Sequence, residues 1–451
     1  MMKTIAPREE LHARLAAIPD PTAISVFVLI WTFYEPFLKT VERGFARSRV
    51  QPLRFQPLAS LTEAAIREQI GLLHGWLVKP LRFDVEALTL LQSLDALLKQ
   101  YDPQTYQSVE KQGFDGKQYV VRRRNEWLAD YFRERSRTVT SEAFRGRSML
   151  TYAPHHALFS AEEDPRVKVA EMLEWGDREI RALLARARED RSLKVMLAPL
   201  TTDIDYPDRR LLTETPPPPF VSLRDPANAA EVQREAVEAI RDAEKEGATI
   251  LIFPELAIPP SADAAIRAEL ASRTRTHPVL TIYGLCHFDE SDAEPRAEIN
   301  RALVIGPHGQ ELHHHDKLEP FGVPDYNTTE RLATGDCVTV LESPIGDLMI
   351  LICLDFFHHD TPPLIARTTA NVFLVPSLSP TVDRHEQEAQ RLVGNCLAAS
   401  FVCNRVLDPH QHPPADTNLS FVVLPRSGKR LIRHQPTASK YLIWALDSAK
   451  P

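Results

Sequence analysis

The pattern of apolar and polar positions changes character near residue 190. Before it, apolar residues recur at intervals of three and four, as in Leu61-Thr-Glu-Ala-Ala-Ile-Arg-Glu-Gln-Ile-Gly-Leu-Leu73 and Val85-Glu-Ala-Leu-Thr-Leu-Leu-Gln-Ser-Leu-Asp-Ala-Leu-Leu98, a spacing that predicts amphipathic helices. Val121 to Arg135 reads as another helix, with Glu126, Asp130 and Glu134 pairing with arginines one turn away, and Glu171 to Asp190 as a last charged helix. Beyond it, apolar runs of strand length alternate with helical stretches. Leu193-Lys-Val-Met-Leu-Ala-Pro-Leu200 is strand-like, Ala229 to Glu246 is a helix stopped by Gly247, and Ala248-Thr-Ile-Leu-Ile-Phe253 is the next strand. Such alternation predicts an α/β domain. The expected organisation is therefore a mostly α-helical domain over 1–190 and an α/β domain over 191–451. Thr215-Pro-Pro-Pro-Pro-Phe220 is a stiff connector inside the second domain.

Composition narrows the class without naming a function. The chain has 451 residues, 43% hydrophobic and 25% charged, ordinary values for a globular protein with room for two or three domains. Net charge is −8, and the acidic excess lies beyond residue 190. No general attraction to nucleic acid follows, so no such partner is expected. The longest apolar run, Ala23 to Tyr34, falls short of the roughly 20 residues a membrane-spanning helix needs. With no secretory signal pattern at the N-terminus and five cysteines without paired spacing, a cytoplasmic protein is expected.

Two strand ends and one polar stretch carry candidate chemistry. Asp347-Leu-Met-Ile-Leu-Ile-Cys-Leu-Asp355 reads as a buried strand that delivers Cys353 to the sheet's C-terminal edge, where open α/β sheets bind ligands. The strand Ala248 to Phe253 runs into Pro254-Glu255, and Lys317 follows the strand predicted at Arg301 to Ile305. Attack on an unreactive carbonyl or nitrile carbon requires a thiolate, a base near the sulfur and a fixed positive donor for the developing oxyanion. Cys353, Glu255 and Lys317 supply those groups. Cys286, Cys337, Cys396 and Cys403 lie in or near apolar segments and are read as structural. His313-His-His-Asp316 has metal-ligand residue types, but adjacent histidines in a strand face opposite sides, and no metal or other cofactor is expected. His358-His359 and His410-Gln-His412 are read as solvated loop residues.

The sequence around these three residues resembles the nitrilase-like carbon–nitrogen hydrolases over about residues 192–440. Ile252-Phe-Pro-Glu-Leu256 is similar to that family's glutamate motif, His315-Asp-Lys-Leu-Glu-Pro-Phe-Gly322 to its lysine motif, and Gly346-Asp-Leu-Met-Ile-Leu-Ile-Cys-Leu-Asp355 to its cysteine motif. Glu330-Arg331, Thr334-Gly335, Val375-Pro-Ser377 and Asn418 to Pro425 match the usual spacers.

The resemblance implies a four-layer αββα sandwich, often a homodimer, with a metal-free Glu-Lys-Cys triad. Glu255 would be the general base, Cys353 the nucleophile and Lys317 the oxyanion stabiliser, with the Leu354 N–H as a second donor. A thioester would form and be hydrolysed. The expected substrate is a linear amide or N-carbamoyl compound; a nitrile substrate, acyl transfer, or a non-catalytic binding module remain alternatives. Phe321, Asp355 and Ser377 are expected at the substrate, although Asp355 is equally suited to capping the segment after it. The family's second glutamate, seven or eight residues after the lysine, is missing here; Asp325 is the expected replacement and Glu319 its rival.

Overall fold

The computed structural model describes residues 8–18, 23–35, 62–98 except 75 and 78, 119–128 except 126, 156–160, 165–200, 220–289 except 274, 298–323, 328–365 except 331, 368–405, 420–425, 431–434 and 439–446. Helices occupy Arg8–Ala16, Ala23–Tyr34, Glu63–His74 and Pro80–Leu98, the last two where the three-four spacing predicts them. Ala23–Tyr34 is apolar on nearly every side, and most of its residues are buried in a core shared with Leu11, Leu15, Ile66, Ile70, Leu91 and Leu94. Its 12 residues are too few to cross a membrane, and no described helix is long and apolar enough to do so. Asp84, buried here, accepts two hydrogen bonds from Arg8 (2.7 and 2.6 Å) and one from the Tyr34 hydroxyl (2.8 Å). A buried carboxylate so surrounded holds the first, second and fourth of these helices in register.

The α/β region is a four-layer αββα sandwich. One sheet has six strands in the order Glu311–Asp316, Arg301–Ile305, Leu280–Gly284, Ile250–Ile252, Lys194–Leu197 and Leu442–Ala445. The other has seven, in the order Leu431–Arg433, Ser420–Val423, Ala399–Arg405, Val372–Leu378, Leu348–Ile350, Val338–Leu341 and Val167–Ala170. Strand alternation builds the layers. Val195, Leu197, Ile250, Ile252, Leu280 and Ile282 of the first sheet meet Leu348, Ile350, Val372, Leu374 and Phe401 of the second in one core. Met196, Leu251, Phe253 and Tyr283 face outward onto helices Ala229–Glu246 and Pro260–Ala271. Met349, Phe373, Val375 and Val402 face helices Thr361–Ile365 and Asp383–Cys396 on the opposite side.

Two expectations for the first 190 residues need correction. Tyr119–Arg123 is a strand, antiparallel to His156–Ser160, rather than the start of a helix. The Tyr-Val-Val sequence favours extended backbone, and that preference outweighs the charge spacing. Glu126, Asp130 and Glu134 lie outside the described residues, as does the proline run before Phe220.

The division at 190 also cuts through shared structure. Val167–Ala170 pairs parallel with Val338–Leu341 and forms an edge of the seven-stranded sheet. Trp175, Ile180 and Leu184 lie in the core between the sheets, and the Trp175 indole N–H donates to the Glu342 carbonyl (2.9 Å). The expected charged helix is two helices, Met172–Trp175 and Arg178–Glu189, separated at Gly176. Leu128 joins the same core, and Asn125 exchanges hydrogen bonds with Ser343 and Asn371.

A chain beginning at residue 191 is therefore expected to melt at least about 10 °C below the full chain, since each lost core side chain removes about 2–5 kcal/mol. Equal melting of the sandwich in the two chains would place the boundary back at 190. A second prediction concerns Asp347, which is buried beside Asn371. Burial pushes its carboxyl up to about 7, with Glu342 adding to the rise and Thr369 opposing it. Because the folded value exceeds the unfolded one near 3.9, stability is greatest below about pH 4 and falls as pH rises to about 7, by on the order of 4 kcal/mol at most. Relative to the parent, Asp347→Asn should gain more than about 1 kcal/mol between pH 4 and 8 in urea melts. A difference that stays flat with pH would exclude a buried ionisation there.

Candidate active site

Glu255, Lys317 and Cys353 emerge at neighbouring strand ends, and the backbone there is built to hold them. Glu255 follows strand Ile250–Ile252, and its loop is stitched to strand Leu280–Gly284: Gly284 N–H donates to the Pro254 carbonyl, and Ala257 and Ile258 donate to the Gly284 carbonyl. A Cβ on Gly284 would lie 2.6 Å from Glu255 Cα, so only glycine lets the two backbones approach this closely. Lys317 directly follows strand Glu311–Asp316 and is fixed by its N–H to the Asn300 carbonyl and its own carbonyl to the Gly335 N–H, each 2.9 Å. Cys353 opens the short 3₁₀ helix Cys353–Phe356 in left-handed backbone, φ +44°, and Leu256 beside Glu255 is also left-handed, φ +52°. Non-glycine residues adopt that conformation only where surrounding structure enforces it.

The side chains form a closed polar cluster. Lys317 Nζ donates to Glu255 Oε1 and to Glu330 Oε2, both at 2.7 Å, and all three residues are buried. Asn300 Nδ2 donates to Glu255 Oε1 at 2.8 Å and lies 3.4 Å from Glu330 Oε1. The second Glu255 oxygen accepts the Leu378 N–H (3.0 Å), while the Leu378 carbonyl lies 3.9 Å from the Cys353 sulfur. One residue thus touches both the carboxylate and the thiol.

Glu330 accepts the Phe321 N–H (2.6 Å), and its other oxygen lies 3.2 Å from His287 Nε2. Because the Leu223 N–H donates to His287 Nδ1 (2.8 Å), the imidazole proton is assigned to Nε2, facing Glu330.

These contacts separate the two carboxylates electrostatically. Burial works to raise Glu330, but the Lys317 charge and the His287 hydrogen bond prevail and hold it down at about 2. Glu255 moves upward, mainly through burial and with the Glu330 charge adding to it, although Lys317 opposes. Lys317 stays charged because its two carboxylates outweigh burial. Burial, and then the Glu255 charge, push the Cys353 thiol up, against Lys317 and a hydrogen bond from Ser377. The thiol is consequently protonated at rest, beside a carboxylate of raised proton affinity.

Glu330 is the partner that sequence reasoning missed. Asp325 lies outside the described residues. Glu319, its rival, points elsewhere: its Oε1 lies 3.2 Å from His358 Nδ1. Pairing of Gly322–Val323 with Thr328–Glu330 turns the chain back, so that Glu330 sits beside Phe321 and reaches the lysine 13 positions earlier.

Asp355 does not present its oxygens to an open site. Fully buried, it accepts the Leu318 and Glu319 N–H groups (3.1 and 2.9 Å) and lies 3.1 Å from His315 Nε2. It therefore ties the cysteine turn to the lysine loop. Phe321 is half-buried and serves Glu330 through its backbone, and Ser377 is fully buried beside the sulfur. Leu354 is the second residue of the 3₁₀ helix, where the N–H groups of the first turn lack partners within the helix.

All five cysteines are free. Cys337 has a charged setting that its sequence context did not suggest, between Asp336 and Lys168, yet burial dominates and its thiol too is shifted up. The His313–Asp316 run does not gather as a metal group among the described residues; His358, His359 and Asp360 do, with the last two exposed. His410 and His412 lie outside the described residues.

The fold and this cluster define a nitrilase-type sandwich. Residues 220–405 match the family model for carbon-nitrogen hydrolase. No curated protein matches the chain. Among solved structures, a glutamine-dependent NAD+ synthetase from Acinetobacter baumannii is 18% identical, with 56% of this chain and 45% of that chain covered and a TM-score of 0.40. The chain thus spans less than half the length of that synthetase. An amidase from Nesterenkonia sp. is 14% identical over 57% of this chain and 93% of its own, TM-score 0.39. The NitN amidase from strain AN1 is 16% identical over 52% and 85%, TM-score 0.37.

Glu330→Gln, which leaves Lys317 with one carboxylate, is expected to destabilise the protein by about 2 kcal/mol or more. Glu319→Gln should stay within about 0.5 kcal/mol. Urea unfolding of both variants checks the ranking, and the reverse order would remove Glu330 from its place as the second carboxylate.

Proposed function

We propose that this protein hydrolyses a non-peptide carbon–nitrogen bond, a linear amide or N-carbamoyl compound, through a thioester on Cys353. The observation that carries the reading is the buried Lys317 ammonium clamped between Glu255 and Glu330 beside a strained cysteine turn. Glu255, with its raised proton affinity, takes the Cys353 proton as the sulfur bonds to the carbonyl carbon. Negative charge gathering on the carbonyl oxygen meets the Lys317 ammonium and the Leu354 N–H, donors already fixed before the reaction begins. On collapse, the nitrogen leaves with the proton held by Glu255. Water then gives a proton to Glu255 and attacks the thioester, and the thiol is restored as the acid departs.

Glu330, locked in its ionised form, keeps Lys317 charged throughout and leaves Glu255 free to exchange its proton. The division of labour follows from environment, since the two carboxylates share one lysine yet are pushed in opposite directions. A small-molecule substrate, a homodimer and a cytoplasmic setting belong to the same reading.

Ammonia release across a panel of linear amides, N-carbamoyl amino acids and nitriles, with mass spectrometry of the protein, tests it. An acyl adduct on Cys353 and loss of all turnover in a folded Cys353→Ala variant are the expected results. Parental ammonia release by that variant would end the nucleophile assignment, and a productive nitrile with inert amides would move the substrate class.

A further inference from the structure

The reaction as described leaves one polar contact to the sulfur unused. Ser377, on strand Val372–Leu378, is fully buried near Cys353, and its hydroxyl works against the rise in the thiol's proton affinity. Its Oγ lies 3.1 Å from Nε2 of His385, in the first turn of helix Asp383–Cys396. His385 is itself fully buried, and its ring is wedged against the end of the cysteine turn: it stacks on Phe356 (6.3 Å between centroids, 20° between planes) and meets Phe357 edge-on (4.7 Å, 75°). Its Nδ1 is buried without a hydrogen-bond partner. Burial holds this imidazole down at about 3, and no charged group among the described residues contributes to the shift, so the ring is neutral at working pH.

A neutral imidazole carries one N–H. Placed on Nδ1 it would be a buried donor with nothing to meet, the rarer kind of unsatisfied group; placed on Nε2 it has the Ser377 oxygen. We propose that His385 is a positioning residue for the nucleophile, donating from Nε2 to Ser377 Oγ so that the Ser377 hydroxyl proton is turned toward the Cys353 sulfur. When Glu255 takes the thiol proton, the thiolate then meets a donor whose direction is already set. Ser377 and His385 neither gain nor lose a proton; the chain runs His385 N–H to Ser377 oxygen and Ser377 O–H to sulfur. Ser377, touching the reacting atom, is the catalytic member of the pair.

The inference rests on Cys353 being the nucleophile, and the experiment keeps the two apart. Alkylation of Cys353 by iodoacetamide is followed in the full chain at fixed pH between about 8 and 10 by peptide mass spectrometry; below the raised midpoint of the thiol the rate follows the thiolate fraction, without any substrate. Ser377→Ala and His385→Phe should each slow alkylation about tenfold at a given pH, the effect of a one-unit rise. His385→Gln, whose side-chain amide can place an N–H near the Nε2 position, should return the rate to within about threefold of the parent. His385→Phe should add nothing in a Ser377→Ala background, and kcat should fall in these variants with KM little changed. A parental alkylation rate in Ser377→Ala, or additive losses in the double variant, overturns the inference; should His385→Phe fail to fold, the Ser377→Ala rate and the Gln rescue decide alone. Unchanged rates with an inactive Cys353→Ala defeat this inference only, whereas parental turnover by Cys353→Ala defeats both.

Discussion

The structure depends on keeping one ammonium group charged in the interior. Removing an ion the size of a lysine head from water costs several kcal/mol even after relaxation. Lys317 meets this cost with two carboxylates at 2.7 Å. Those carboxylates then need partners of their own: Asn300 and the Leu378 N–H for Glu255, the Phe321 N–H and His287 for Glu330. The demand spreads outward. Glu255 sets the close approach at Gly284, and Asp355 anchors the lysine loop to the cysteine turn. The buried polar groups Asn300, His287, Glu255 and Glu330 can be traced back to that single charge.

Glu255 and Cys353 were legible in the sequence because each follows a short apolar run that marks a buried strand, whereas Lys317 follows the polar strand Glu311–Asp316 and was picked out by the residues around it. Glu330 carries no such mark. It closes the three-residue strand Thr328–Glu330, and its position depends on pairing with Gly322–Val323, a contact made across a turn. Counting residues from the lysine pointed to Asp325, which lies outside the described residues, and a count along the chain cannot see the pairing that brings Glu330 back. Ser377 was placed near the substrate, but its His385 partner lies eight residues on, in the following helix, and only their packing shows the contact.

The domain boundary was misplaced for a related reason. The change from helical to alternating pattern and the change in charge both fall near 190, and both are genuine. The strand Val167–Ala170 is four residues long, with a pattern too brief to stand out from the charged sequence around it. It becomes a strand because Val338–Leu341 offers an edge to pair with, and tertiary pairing of this kind routinely outweighs local preference. The helical group over 8–98 keeps a core of its own, whereas residues 165–190 contribute to the sandwich.

Preorganisation and strain meet at the same two positions. Leu256 and Cys353 both hold left-handed backbone, which costs a non-glycine residue of order 1–3 kcal/mol. Each lies at the exit of a strand whose neighbours are fully hydrogen-bonded and whose side chains fill the core between the sheets, so the cost is met by packing that relaxation would disrupt. The consequence is a fixed arrangement of sulfur, carboxylate and ammonium. A thiol shifted upward by burial is a weak nucleophile at rest, and under the proposed reaction Glu255 would have to take its proton before the sulfur could attack.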